Sequence, residues 1–374
     1  MKIRSFDLER YFALYEFSAE YLLSSSDCEA LSMKELIEMA SPGTLVIWEE
    51  LRLGYTESAG HPLLREKISS LYENMGPDNV LVTVPEEGIF IAMNALLDQG
   101  DHVVCISPAY QSLYEIARSI GCSVTPWEKE IRDGKWHFDT NTLEQAITEK
   151  TKMIIVNFPH NPTGWLPSPA EQKKIVSIAS ERGIYLFSDE MYRGLETGNR
   201  EMLPGACDLY RNAISLSGLS KTYGLPGLRT GWLVCENPDI RKRLASFKDY
   251  TTICHSAPSE ILSIMALENA SRLASRSLEI VEENLGHARN FFDSYKDLFT
   301  WMEPAGGSIA YPRLDLDVDV FDFCEGAVKE KNVMVVPSKV LGDDSRHFRI
   351  GLGRKNFPEA LEAFEEYVKE LRVT

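Results

Sequence analysis

Lys221 is the first residue of the 374-residue chain with obvious chemical potential. It sits in Gly218-Leu219-Ser220-Lys221-Thr222-Tyr223-Gly224, directly after an apolar run. An amine there can condense with an aldehyde if burial and neighbouring cations depress its pKa. Other chemistry-bearing residues follow other apolar runs: Tyr110 in Pro108-Ala109-Tyr110, Asn161 in Asn161-Pro162-Thr163-Gly164, and Asp189 with Tyr192 in Asp189-Glu190-Met191-Tyr192. Each has an ordinary alternative. Lysine is normally a surface residue, Asp189 is placed to cap a helix, Asn-Pro-Thr-Gly is a good turn, and Tyr110 is one tyrosine among 15. Together at successive strand ends, they suit a flat ligand that is anionic at one end and electrophilic at an aldehyde.

The elements that must position them follow from hydropathy patterning. Short apolar runs at His102–Ser107, Met153–Phe158, Ile184–Ser188, Ala213–Ser217 and Trp232–Cys235 read as buried strands. Amphipathic stretches such as Pro169–Arg182 lie between them and predict helices, hence a mostly parallel α/β sheet. Too little sequence joins Ala213–Ser217 to Trp232–Cys235 for a full crossover helix. Residues 6–40 read as largely helical, with Ser32 capping Met33-Lys34-Glu35, and Ser256–Leu298 reads as one long helical stretch. The tail mixes strand-like Val333–Val336 and His347–Ile350 with a final helix, Pro358–Leu371. The expected architecture is a three-layer large domain, residues 45–270, and a smaller α+β domain built from both termini, residues 1–44 and 271–374.

The segment Gly218–Gly231, with Arg229 eight residues after Lys221, resembles the lysine signature of the class I/II aminotransferases. These are fold-type I pyridoxal-phosphate (PLP) enzymes with an aspartate-aminotransferase-like fold. Asn161-Pro162-Thr163-Gly164, Asp189-x-x-Tyr192, Pro108-Ala109-Tyr110, Pro304-x-Gly306-Gly307 and Phe348-Arg349-Ile350 occur in the family's order, and the resemblance covers about residues 45–353. It implies that Lys221 anchors PLP as a Schiff base and then moves the substrate proton. Asp189 would face the pyridine nitrogen, while Tyr192 and Asn161 would bond the phenolic oxygen and Tyr110 would stack on the ring. Ser220 and Arg229 resemble phosphate ligands, and Arg349 resembles the arginine that grips the substrate α-carboxylate, its alternative being a structural ion pair. Tyr55, in Gly54–Gly60, resembles a tyrosine that reaches the phosphate across a dimer interface, which implies a homodimer with shared active sites.

The chain departs from the family pattern in places. Where the phosphate usually rests on small residues at a helix start, this chain has Val84-Pro85-Glu86-Glu87-Gly88. Pro85 offers no N–H, and two carboxylates stand beside the expected phosphate, so Glu86 and Glu87 are assigned through their N–H groups with side chains turned away. Gly218 replaces a frequent serine and Thr230 an aliphatic residue. Ser24-Ser25-Ser26-Asp27 replaces a glycine-containing stretch; it reads either as a solvated turn or as a mouth lining suited to a polar or cationic side chain.

Composition bounds the function. Thirty-nine basic against 56 acidic side chains give a net charge of −17, which disfavours nucleic-acid and anionic-membrane partners. With Lys221, Arg229 and Arg349 gathered in the site, the acidity is expected mostly on the outer surface, around a basic pocket. The 7 cysteines are scattered and the 7 histidines form no metal-binding spacing, so reduced thiols and no metal are expected. The amino-terminal stretch lacks the apolar segment of a signal peptide, and no run is long enough to span a membrane; the expected compartment is the cytoplasm. Neither a dinucleotide fingerprint nor a phosphate loop is present, and a basic DNA-binding module has no room ahead of residue 45. The leading expectation is amino transfer between an amino acid and a 2-oxo acid. The alternative is a PLP-dependent lyase, replacement enzyme or cyclase of the capreomycidine-synthase kind, because Lys221, Asp189 and Arg349 serve all of these.

Overall fold

Seven strands build the central sheet of the computed structural model, which describes residues 2–371. They are β1 (Val80–Thr83), β2 (His102–Ser107), β3 (Ser123–Glu128), β6 (Thr151–Asn157), β7 (Tyr185–Asp189), β8 (Ala213–Gly218) and β9 (Gly231–Val234). A hairpin, β4 (Glu130–Arg132) and β5 (Lys135–His137), follows β3. The sheet order is β1-β9-β8-β7-β6-β2-β3. Only β9 runs against its neighbours β8 and β1. The short link across residues 219–230 holds no full crossover helix, as its length predicted, and it returns the chain antiparallel.

Alternation of side chains along the strands makes the molecule three-layered there. Leu81 and Leu233 join one core with Ile89 and Met93 of the helix Pro85–Leu96 and Ile240 of the helix Pro238–Lys248. Val80, Val82, Trp232 and Val234 face the other way, onto Leu64 and Ile68 of the helix Pro62–Ser69 and Ile261 and Met265 of the helix Ala257–Glu268. The five expected strands are present within one or two residues. Edge strand β3 lacks an apolar run because only Trp127 in it is buried, and four-residue β1 runs straight into the helix at Pro85.

A third core forms around Phe291, Phe292, Phe323, Phe348 and Phe364. It is enclosed by the helices Ala270–Ser294, Val320–Lys331 and Phe357–Leu371. Its strands are β10 (Phe299–Thr300), β11 (Ile309–Ala310), β12 (Arg313–Leu314), β13 (Val336–Pro337) and β14 (Phe348–Gly351), paired antiparallel as β10-β12 and β11-β14-β13.

Two helical expectations are corrected. The stretch 256–298 is two helices, broken at Asn269, whose side-chain amide donates to the carbonyls of Met39 and Met265. Residues 6–40 form only the helices Asp7–Tyr15 and Met33–Glu38, the latter with the expected Ser32–Glu35 capping box. Between them the backbone bonds to the carboxy-terminal unit. Tyr21 N–H donates to Asn332 O at 3.0 Å, Gly351 N–H to Leu23 O at 2.8 Å, and Glu29 N–H to Gly353 O at 2.7 Å. A segment whose amides and carbonyls are satisfied from outside has no need of a helix.

The fit between this segment and β14 is close. A Cβ on Gly351 would stand 1.8 Å from the carbonyl oxygen of Ser25. Gly351→Ala is expected to destabilise the fold by about 1–3 kcal/mol and to displace Ser24–Ser26. The denaturation midpoint checks the first effect, and wild-type stability in the variant would contradict it.

Candidate active site

The carboxyl ends of β6, β7 and β8 converge on one buried place. In β6, Asn157 pairs with Asp189 of β7 and donates its amide to the Asp189 carbonyl at 3.0 Å. The Asn157 side-chain oxygen accepts the Asn161 N–H at 2.7 Å, which sets the turn carrying Asn161. The oxygen of the Asn161 side chain in turn accepts from Arg349 Nη1 at 3.2 Å. His160, fully buried, ties this turn to the one after β2. Its Nε2 meets the Pro108 carbonyl at 2.8 Å and must carry the proton, so Nδ1 accepts from Thr163 Oγ1 at 2.7 Å. Burial pushes its pKa down to about 3, which keeps the ring neutral in this role.

Lys221 follows β8, and its Nζ donates to Ser26 Oγ at 2.8 Å. Burial lowers the ammonium pKa; the charge of Asp27 opposes this and that of Arg349 adds to it. Asp189 ends β7 and is 7% exposed. The N–H of Met191 donates to its Oδ1 at 3.1 Å, but a turn rather than a helix follows, so this is no helix cap. Burial raises the carboxyl from 3.8 to about 7, against the pull of the Met191 N–H and of Lys221. The Tyr192 hydroxyl is buried with no hydrogen-bond partner among the described residues. Arg349, 1% exposed, also reaches the Ser24 carbonyl through Nη2 at 3.2 Å, while its Nε has no partner among the described residues. Leaving such groups unpaired costs about 1–3 kcal/mol each, so they mark a place where a ligand completes the bonding.

A raised carboxyl pKa has a measurable consequence. Asp189 holds a proton in the folded chain that the unfolded chain releases, so its contribution to stability falls as pH rises from 3.8 toward about 7. In the cofactor-free protein, Asp189→Asn keeps the acceptor for Met191 and is expected to raise the melting temperature by a few degrees at about pH 8 and not at about pH 4. Equal shifts at both pH values would contradict this origin.

The other side of the site carries the remaining candidates. The hydroxyl of Tyr110 donates to Glu9 Oε1 at 2.9 Å, and its ring lies 4.9 Å from that of Phe6. Ser220 is buried, and Arg229 sits at a left-handed backbone position with Nη1 on the Pro226 carbonyl at 3.0 Å. Both lie on the loop with Lys221, and the charge of Arg229 is felt at Tyr110 and Glu86. In the helix Pro85–Leu96 the first intrahelical bond is Gly88 N–H to Val84 O, which leaves the Glu86 and Glu87 N–H groups ahead of it. The expectation of carboxylates turned away is corrected at Glu87, whose carboxylate folds back over the helix start, accepting from Val84 N–H at 3.3 Å and Thr252 Oγ1 at 2.7 Å. Glu86 accepts from Ser112 Oγ at 3.1 Å, and burial lifts it to about 7.

Two departures from the family pattern have packing explanations. Gly218 pairs with Gly231, and a Cβ on Gly218 would be 2.9 Å from the Thr230 carbonyl and 3.1 Å from Pro85 Cγ, so a serine there would be crowded. The hydroxyl of Thr230 bonds His255 Nε2 at 3.0 Å. Tyr55 is not brought to the site: it is 92% exposed on the surface of its own chain.

Sequence reasoning missed Ser26 and His160 as parts of the site and gave Glu9 no role. Ser26 lay in a stretch flagged as a possible lining. His160 stood next to Asn161, where a buried bridging histidine has no distinct sequence signal. The expectation of a basic pocket is also corrected, because Glu9, Glu16, Asp27, Glu86 and Asp189 lie within electrostatic reach of Lys221 or its neighbours.

The family description "Aminotransferase class I and II" matches residues 23–364. Capreomycidine synthase of Streptomyces vinaceus is 30% identical over 364 residues, 96% of this chain and 91% of that protein. A solved PLP-dependent aminotransferase from Streptococcus suis superposes with a TM-score of 0.92 at 30% identity, covering 99% of both chains. The PLP-dependent cyclase OrfR superposes with a TM-score of 0.91 at 27% identity, covering 99% of this chain and 98% of its own. The buried amine, the buried carboxyl and the unpartnered tyrosine and arginine groups fit PLP and an amino acid. Matched over nearly its whole length and sharing its fold end to end with such enzymes, the chain belongs to the class I and II aminotransferases and is a PLP-dependent enzyme.

Proposed function

We propose that the chain exchanges an amino group between an amino acid and a 2-oxo acid, with PLP held at Lys221. One observation carries this reading: Lys221, Asp189 and Tyr192, at the carboxyl ends of the central strands, meet Arg349 of β14, with the Tyr192 hydroxyl and Arg349 Nε unpartnered among the described residues. PLP, when bound, supplies an electron sink for the pair left as the substrate Cα loses its proton. Asp189 would hold the proton on the pyridine nitrogen. Asn161 presents its oxygen to Arg349 and so keeps its NH₂ for the phenolic oxygen, beside the Tyr192 hydroxyl. Tyr110 would cover the ring face. Ser220, Arg229 and the N–H groups of Glu86 and Glu87 would hold the phosphate. Arg349 would grip the α-carboxylate. Lys221, whose charged form burial disfavours, would take the proton from the substrate Cα.

The same reading takes residues 45–270 as the cofactor-binding domain and residues 1–44 with 271–374 as the small domain. It also makes the protein a cytoplasmic homodimer in which Tyr55 serves the partner's phosphate site. Exposed Leu53, Tyr55, Tyr250 and Ile253 support an apolar face for a second copy. Among the described residues no helix is long and apolar enough to cross a membrane.

A second reading, elimination or cyclisation on the same residues, is favoured by the likeness to capreomycidine synthase and the OrfR cyclase. Incubating the loaded enzyme with single amino acids separates the two. Accumulation of pyridoxamine phosphate supports amino transfer. Ammonia or a cyclic product with PLP unchanged overturns it in favour of the second reading.

A further inference from the structure

The amino-terminal helix Asp7–Tyr15 turns one face toward the site. Phe12 is on that face: its ring lies 5.8 Å from the Arg349 guanidinium carbon. Glu9, three residues earlier, takes the Tyr110 hydroxyl bond and acts electrostatically on Lys221 and Arg349. Glu16, four residues after Phe12 at the helix end, acts on Lys221 in the same way. The spacing i, i+3, i+7 puts all three side chains on one stripe of the helix.

Two other acids in or near this helix are held in ion pairs. Asp27 pairs with Arg354 at 2.8 Å and Asp7 with Arg4 at 2.5 Å. The Glu9 carboxylate has only the neutral tyrosine hydroxyl, and the Glu16 carboxylate has no hydrogen bond or ion pair among the described residues. Two carboxylates without an ion pair therefore stand beside a site that independently calls for a ligand, through the buried, unpartnered Tyr192 hydroxyl, Arg349 Nε and Ser24 Oγ. A substrate whose α-carboxylate sits on Arg349 would extend its side chain from there under this stripe.

We infer that Glu9 and Glu16 select an amino acid with a cationic side chain, an amine or guanidinium, and reject one with a second carboxylate. The inference rests on the PLP and Arg349 reading above. A cation near two carboxylates gains charge-assisted bonds, while a carboxylate in the same place meets repulsion.

Arginine and citrulline provide the test, being nearly the same shape and differing in charge, with ornithine and glutamate as the second pair. Each is titrated into the PLP-loaded enzyme, and the half-saturation of the change in cofactor absorbance is read. Arginine and ornithine are expected to half-saturate at least about ten-fold below citrulline and glutamate, an amount ordinary for one charged contact. In the Glu9→Gln/Glu16→Gln double variant, which keeps side-chain size and the acceptor for Tyr110, the gap should shrink to about three-fold or less. Equal response to arginine and citrulline, or response to neither, overturns the inference while the PLP reading stands. A ten-fold gap that persists in the double variant removes Glu9 and Glu16 from the role. Borohydride reduction followed by peptide mass analysis serves as the separate control: absence of PLP on Lys221 overturns the underlying reading, and this inference with it.

Discussion

Lys221→Ala is expected to fold and to lose at least about 10⁴-fold in kcat, because one side chain both anchors the cofactor and moves the substrate proton. Stability should change little. The Lys221 ammonium makes a single side-chain hydrogen bond, to Ser26, and burial already disfavours its charge. The distinguishing measurement is chemical. Wild-type protein treated with PLP and borohydride should carry the cofactor mass on the Lys221 peptide, and the variant should carry none there. A variant that still traps PLP covalently at another lysine and turns over normally would remove Lys221 from the centre of the mechanism.

The second large effect is expected at Arg349. Its guanidinium spans Asn161 and the Ser24 carbonyl and still has Nε unpaired, so it is a buried cation without a carboxylate partner among the described residues. A substrate carboxylate would supply the missing charge. Arg349→Gln should lower kcat/KM by about 10²–10³-fold, the range for losing one side of a buried charged pair. Arg349→Lys should not restore it, because a point charge cannot reproduce the fork while reaching both Asn161 and Ser24. The loss should appear mainly as a raised KM, and equally for the amino acid and the oxo acid, since both carry the carboxylate. A primary amine lacking that group should be indifferent to the substitution. If the amine suffers as much as the amino acid, Arg349 is holding the fold and not the substrate.

How much of this was legible in the chain depends on how locally each feature is specified. Lys221, Asp189, Asn161 and Tyr110 follow apolar strands directly, so a one-dimensional pattern was enough to bring them to one edge of a parallel sheet. The lack of a full crossover helix between β8 and β9 was equally readable from the length of the connection, and the antiparallel return of β9 is what the fold makes of it. The irregular path of residues 16–32 was not. Its backbone partners, Asn332, Gly351 and Gly353, lie some three hundred residues away, and a helical pattern nearby cannot reveal that competition. His160 was hidden for the same reason: its ring joins two loops that meet only after β2 and β6 pair.

Charge was the least readable property. A net charge of −17 with three cations at the expected site suggested a basic pocket inside an acidic shell. The folded chain instead brings carboxylates into reach of those cations and pairs some of them, such as Asp27 with Arg354. By itself the sequence determined the reaction family and the residues at the strand ends, because the chemistry of each lies within a short motif. Only the tertiary structure decided what surrounds them. The contact of Lys221 with Ser26 spans 195 positions, and the placing of Glu9 beside Tyr110 spans 101, so both depend on how the amino-terminal segment packs. Electrostatic energy depends on distance and burial in the folded chain, and neither quantity exists until the chain has closed on itself.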